Sequence, residues 1–312
     1  MRSISAVFLL ATSCRLFHPA GRYRVTIDLE PSIRALGSED LFESSPAEDK
    51  IIGLGSAALP ALGEALEHEP PAVRVGVVEV LHLLRPAGIP LIMKAATDSD
   101  ADVRSEALQD LAEQTGDPQA RALVEAALDD PSPKIRLAAA RTCGRLCTSP
   151  AALARLVDMA MRDELFPNGA WARVSLRAIM EGKDAAANEA RAAIERAALP
   201  RLQDDFSLEE RTRAALVAAD IGNPAAPDVL ALAAREAENM QLRLRAVYTL
   251  GMVGDARAVP TLAGILRGPD NELVPYTCDA LSSMAARGVP EAKRTLEAYR
   301  GPRPEHPRSP LF

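Results

Sequence analysis

Along most of the chain the apolar residues fall at helical rather than alternating intervals, and the arrangement recurs. Three stretches show it: Ala101–Asp130, Ser132–Met161 and Met240–Leu266. Each opens on an apolar residue followed by arginine, continues with apolar residues at helical spacing, turns at Gly or Pro, and enters a second apolar helix. With the arginine as origin, the register falls at Arg74, Arg104, Arg136, Arg173, Arg211 and Arg243, and Pro275 takes the last slot. Three residues on stand Val77, Ala107, Ala139, Leu176, Ala214, Ala246 and Cys278; seven on stand Leu81, Leu111, Cys143, Met180, Ala218, Leu250 and Ser282. Offsets of zero, three and seven share one face of a helix. Small or apolar residues there let neighbouring helices approach closely.

The turns repeat as well: Gly88-Ile89-Pro90, Gly116-Asp117-Pro118, Thr148-Ser149-Pro150, Gly222-Asn223-Pro224, Gly254-Asp255-Ala256 and Gly288-Val289-Pro290. Glycine closes a helix in a left-handed cap, and Asp, Asn and Pro open the next. An earlier half-matching unit, Ile51–Leu66, has room for only a short first helix. The pattern predicts an all-α, α-α superhelix of about eight helix pairs between residues 46 and 300. No pair can bury its apolar face alone, so each depends on its neighbours.

These units in register resemble the HEAT family, in particular the bacterial HEAT-like repeats also found in phycobilin lyases. The resemblance implies an Asp–Arg ladder along the solenoid. On this sequence it maps to Asp98 before Arg104, Asp130 before Arg136 and Asp205 before Arg211, with Arg74 and Arg243 as further rungs. It also implies that second helices line a concave side. At about 8–10 Å between helix axes, eight pairs would make a curved rod on the order of 70–80 Å long. The register is weakest between residues 163 and 213, where DELFPNG lengthens a loop and Glu210 takes an apolar slot.

Outside the array, residues 1–14 combine a basic start, a short apolar run and small residues before Cys14. That is the layout of a secretory leader. Ala11-Thr12-Ser13-Cys14 resembles a bacterial lipobox, which would make Cys14 the lipidated mature N-terminus. The alternatives are an ordinary secretory leader and a buried N-terminal strand or helix of a cytosolic protein. Residues 15–45 read as a cap or tether, with strand-like alternation over Arg22–Leu29 and an acidic loop over Gly37–Asp49. Residues 301–312 hold four prolines and read as a disordered tail.

Aromatics make up 4% of the chain, which disfavours β-sandwiches and barrels. Lys and Arg number 36 against 43 Asp and Glu, a net charge of −7 without a dense basic cluster. A nucleic-acid partner is therefore not expected. No apolar stretch is long enough to span a bilayer, so membrane contact would come only through a lipid on Cys14.

Candidate chemistry is sparse. Of four histidines, only His68-Glu69 forms the His-Glu pair that HEAT-like di-iron hydroxylases use several times over, and one pair cannot hold two irons. Cys143 and Cys147 are spaced one helical turn apart, a poor geometry for a disulfide and half a zinc site. They read, like Cys278, as small buried hydrophobes. No phosphate loop, nucleophile elbow or HExxH occurs.

The expectation is a non-enzymatic, monomeric protein-binding scaffold of the cell envelope, without cofactor or metal and with an unknown protein partner. Glu64, Lys94, Glu125 and Trp171 are its candidate contacts. An enzyme or chromophore-handling protein of the phycobilin-lyase type is the alternative.

Overall fold

The computed structural model describes residues 13–17, 24–162, 168–269 and 271–301. It divides into two compact units, Met1–Cys147 and Thr148–Phe312.

The first unit opens with an antiparallel hairpin of β1 (Ser13–Phe17) and β2 (Arg24–Asp28), which places Cys14 opposite Ile27. A short α1 (Glu30–Ala35) follows, with Leu29, Ile33 and Leu36 buried around it. Helix pairs then alternate: α2 (Leu41–Leu54) with α3 (Leu59–His68), α4 (Pro71–Leu83) with α5 (Ile89–Ala95), and α6 (Ala101–Asp110) with α7 (Pro118–Ala127), ending on α8 (Pro133–Leu146). The first helices α2, α4, α6 and α8 pack in sequence as one row, and α5 and α7 pack in the other.

The acidic stretch after Gly37 is largely helix, not loop, so the array begins earlier than its apolar pattern suggests. The Asp40 carboxylate accepts the Phe42 amide at 2.9 Å and caps α2, with Glu43 in the first turn facing the positive end of the helix dipole. Pro46 removes one intrahelical hydrogen bond. The helix continues past it because Ala47 and Ile51 are buried.

The second unit contains α9 (Pro150–Arg162), α10 (Asn168–Met180), α11 (Ala185–Ala198), α12 (Leu208–Ala218), α13 (Ala226–Glu236), α14 (Met240–Val253), α15 (Val259–Arg267), α16 (Val274–Ala286) and α17 (Pro290–Ala298). From α12 onward the stacking is regular: α12, α14 and α16 form one row, and α13, α15 and α17 the other. Before it, α9 packs against α10, α11 and α12 together, a departure from simple stacking where the sequence register is weakest. Glu210 belongs there for a local reason. Its carboxylate and Ser207 form a reciprocal capping box at the start of α12.

The predicted seam is the core. Val77, Ala107, Ala139, Leu176, Ala214 and Ala246 are fully buried, as are Leu81, Cys143, Ala218 and Leu250. The last repeat differs in detail: Val274 is buried at the position Val73 holds in α4, and Thr277 and Leu281 are fully buried, while Cys278 is half-buried and Ser282 is exposed.

Three glycines close helices as expected. Gly222 (φ 71°), Gly254 (φ 75°) and Gly288 (φ 88°) occupy the left-handed region after α12, α14 and α16. Gly251 serves packing instead: a Cβ there would lie 2.6 Å from Ala280 Cα, so α14 and α16 touch backbone to backbone.

Cys143 and Cys147 are buried, but they are joined in a disulfide and are not two separate thiols. The objection to pairing across a helical turn assumes both residues are helical. Here α8 ends at Leu146, and Cys147 is already extended (φ −76°, ψ 126°), which brings the two Cα atoms to 4.6 Å.

Candidate interaction surface

Neighbouring repeats are clasped by ion pairs at the helix starts. Arg74 sits one residue past buried Val73 at the head of α4. Its Nε and Nη2 donate to the two oxygens of Asp98 at 2.9 and 2.7 Å, and its Nη1 donates to the Glu69 carbonyl at 2.7 Å. Arg104 repeats this one unit on, donating to Asp130 twice at 3.1 Å and to the Asp98 carbonyl at 2.8 Å. Arg136 donates to the carbonyls of Asp130 and Pro131. Asp98 and Asp130 also accept the amides of Asp100 and Ser132, so each carboxylate ties a turn to the preceding repeat.

At Arg211 the pattern differs. Asp205 is not a rung: Arg211 pairs with the neighbouring Asp204 at 2.7 Å, on a carboxylate that is 90% exposed. Where α9–α11 crowd together, a different clasp forms. Arg173 and Arg177 of α10, one turn apart, both donate to Asp220 beyond the end of α12, at 2.7–3.0 Å. Asp220 and Arg173 are buried. Arg243 Nε donates to the Ala234 carbonyl at 3.2 Å. No spacing rule in the sequence pointed to Asp220.

Of the candidate contacts, Glu64 and Lys94 fall in one local cluster. Lys94 of α5 is exposed and bonds Glu67 of α3. Glu64 lies one turn before His68 on α3, with 3.7 Å between His68 Nε2 and Glu64 Oε2. Glu125 is half-buried on α7, and Trp171 is half-buried on α10 in the other unit.

A second feature of the first unit went unnoticed in the sequence because its members are far apart along the chain. Residues 39–130 hold 19 Asp or Glu against six Lys or Arg. Arg74, Arg104 and Arg85 are engaged in ion pairs within the repeats. On the row of first helices, Glu48 (α2), Glu79 (α4), and Glu106 and Asp110 (α6) repel one another. Burial pushes the Glu79 carboxyl up, and the charges of Glu48 and Asp110 add to the rise. Burial likewise raises Glu106, and Asp110 and Glu79 raise it further against the pull of His82 and Lys134. Asp110 is raised by burial even though His82 Nδ1 lies 2.6 Å from its Oδ1 and Arg85 is close by. Its Oδ2 is buried and makes no hydrogen bond, as does Arg85 Nε. One turn after Glu79, Leu83 is 58% exposed, and at the start of α2, on the same row of helices, Leu41 and Phe42 are 74% and 91% exposed.

The segment expected to be a leader and the Pro-rich tail lie outside the described residues, apart from Ser13 and Cys14, whose backbone forms part of β1, and Gly301. Among the described residues no helix is long and apolar enough to cross a membrane.

A family model described as HEAT repeats matches residues 89–177 and 195–282, more than half of the chain. No curated protein matches. Among solved structures, importin beta shares 12% identity at a TM-score of 0.56; the match covers 83% of this chain and 38% of importin beta. The chain therefore spans about two fifths of that protein. The X-ray structure of YIBA_ECOLI shares 17% identity at a TM-score of 0.51, covering 91% of this chain and 98% of that one. The complex of CpcE and CpcF of phycocyanin lyase from Nostoc sp. PCC7120 overlaps at 17% identity and a TM-score of 0.41, covering 77% of this chain and 93% of that one. That last overlap is too loose to carry an argument. The others show the fold.

The Asp98 clasp has a pH signature. Burial pushes the Asp98 carboxyl up, but hydrogen bonds from Arg74 and the Asp100 amide, with the guanidinium charge, outweigh it and hold the group below its ordinary value. The stabilisation is therefore present above the unfolded-state carboxylate range and is lost as pH falls through the folded value. Asp98→Ala should lower unfolding stability by about 3 kcal/mol at neutral pH, because it strands a largely buried Arg74. In urea titrations the gap to the wild type should narrow on acidification; a gap constant through the acid range would refute the assignment.

Proposed function

Because this chain belongs to the HEAT-repeat family, we propose that it is a non-catalytic scaffold whose first unit holds a basic protein partner. HEAT-repeat solenoids bind proteins, and stacked repeats expose long surfaces to do so. The single observation that carries the choice of partner is the row of mutually repelling carboxylates Glu48, Glu79, Glu106 and Asp110 on successive first helices. Folding crowds these groups, and the cations beside them, His82 and Arg85, engage Asp110. Lysines or arginines of a partner would relieve the repulsion, and exposed Leu83, Leu41 and Phe42 offer apolar contact nearby. Charge of one sign over a surface also speeds encounter with the opposite sign.

We place the scaffold at a bacterial envelope, held by a lipid on Cys14. The leader pattern before Cys14 motivates this, and the Cys143–Cys147 disulfide supports it, since such bonds persist mainly in oxidising compartments.

Two experiments test these readings. A fluorescent Lys/Arg-rich peptide should bind the purified chain with an affinity that falls as salt rises. Glu79→Lys combined with Glu106→Lys should weaken it by about tenfold, two surface pairs at up to about 1 kcal/mol each. Glu297→Lys on α17 should not. Equal loss from both variants would reduce the effect to net charge and overturn the proposed surface. For the anchor, radioactive palmitate fed to a bacterium expressing the gene should label the wild type and not Cys14→Ser; equal labelling removes the envelope claim.

A further inference from the structure

We infer that the last turn of α3 is a binding site for a first-row divalent transition ion, with Glu64, Glu67 and His68 as its ligands. The three residues stand at i, i+3 and i+4 and therefore share one helix face. One ligand atom from each lies within 4.8 Å of the other two. His68 Nε2 is 3.7 Å from Glu64 Oε2 and 3.8 Å from Glu67 Oε2. Around a tetrahedral zinc ion with bonds of about 2.1 Å, ligand atoms stand about 3.4 Å apart. The side chains are about half exposed, so small rotamer changes close the remaining distance.

The imidazole separates this group from an ordinary acidic patch. Two carboxylates alone would suit Mg²⁺ or Ca²⁺, whereas a nitrogen donor among them favours Zn²⁺, Ni²⁺ or Co²⁺. Lys94 of α5 supplies an outer contact. It bonds Glu67 Oε1, leaving Oε2 to face His68. A ligand carboxylate must be ionised to bind metal, and contacts of this kind orient ligands. Three protein ligands on an open face leave a fourth position for water or for a donor from another molecule.

The site is independent of the acidic row on the first helices and of any partner. It is tested on the full chain by titrating Co²⁺ and following its visible absorption, and by titrating Zn²⁺ in competition with a coloured chelator. The expected result is one saturable equivalent whose Co²⁺ bands report low-symmetry coordination. It should survive a large excess of Mg²⁺. His68→Ala and Glu64→Gln should each weaken Zn²⁺ by at least about tenfold, with helical circular dichroism unchanged, while Glu291→Gln on α17 has no effect. Absence of saturable binding would overturn the inference, as would wild-type affinity in His68→Ala or displacement by equimolar Mg²⁺.

Discussion

Every part of this molecule depends on an apolar seam that no helix completes by itself. The helices run from 6 to 14 residues, too short to be stable in water on propensity alone. Their order comes from burying one face against the helices before and after them. Small residues at recurring core positions, such as Ala107, Ala139, Ala214 and Ala246, set how closely the rods approach. At Gly251 the approach is so close that even a methyl group would collide with α16. With the seam in place, the polar groups at helix starts have few choices. An arginine one position past a buried residue lies where the next repeat's aspartate can reach it, and Arg74–Asp98 and Arg104–Asp130 are the outcome.

Much of the fold was legible because the period of the apolar residues and the residues that end helices agree. Where that agreement weakened, the reading weakened with it. The start of the array was hidden by an acidic composition, since Asp40 and Glu43 look like loop residues until they are recognised as a cap and a first-turn charge. In the final repeat, where Pro275 takes the arginine slot, Thr277 and Leu281 are the fully buried residues and not Cys278 and Ser282. The disulfide escaped because its geometry depends on the backbone leaving the helix at Cys147, which no spacing rule reports. Asp220 escaped for a related reason: it reaches Arg173 and Arg177 through irregular packing and belongs to no repeat position.

The surface was less legible than the core. Glu64, Lys94 and Glu125 were chosen for their place on second helices. The structure draws Glu64 and Lys94 into a local cluster with Glu67 and His68. The stronger electrostatic feature lies on the first helices, where Glu79 and Glu106 come from separate repeats and only their stacking sets them against each other. One-dimensional stacking thus builds an extended charged face from single residues contributed by each repeat, a feature suited to recognising an extended partner.

The dependence of each pair on its neighbours can be measured directly by circular dichroism of an isolated peptide covering residues 101–130, which hold α6 and α7. Without neighbours the peptide has no surface to cover Val103, Ala107 and Val124, all fully buried in the protein. Its spectrum should be that of a largely unfolded chain. A cooperative, thermally melting helical signal from the peptide alone would show that the pair is self-sufficient and would contradict the account.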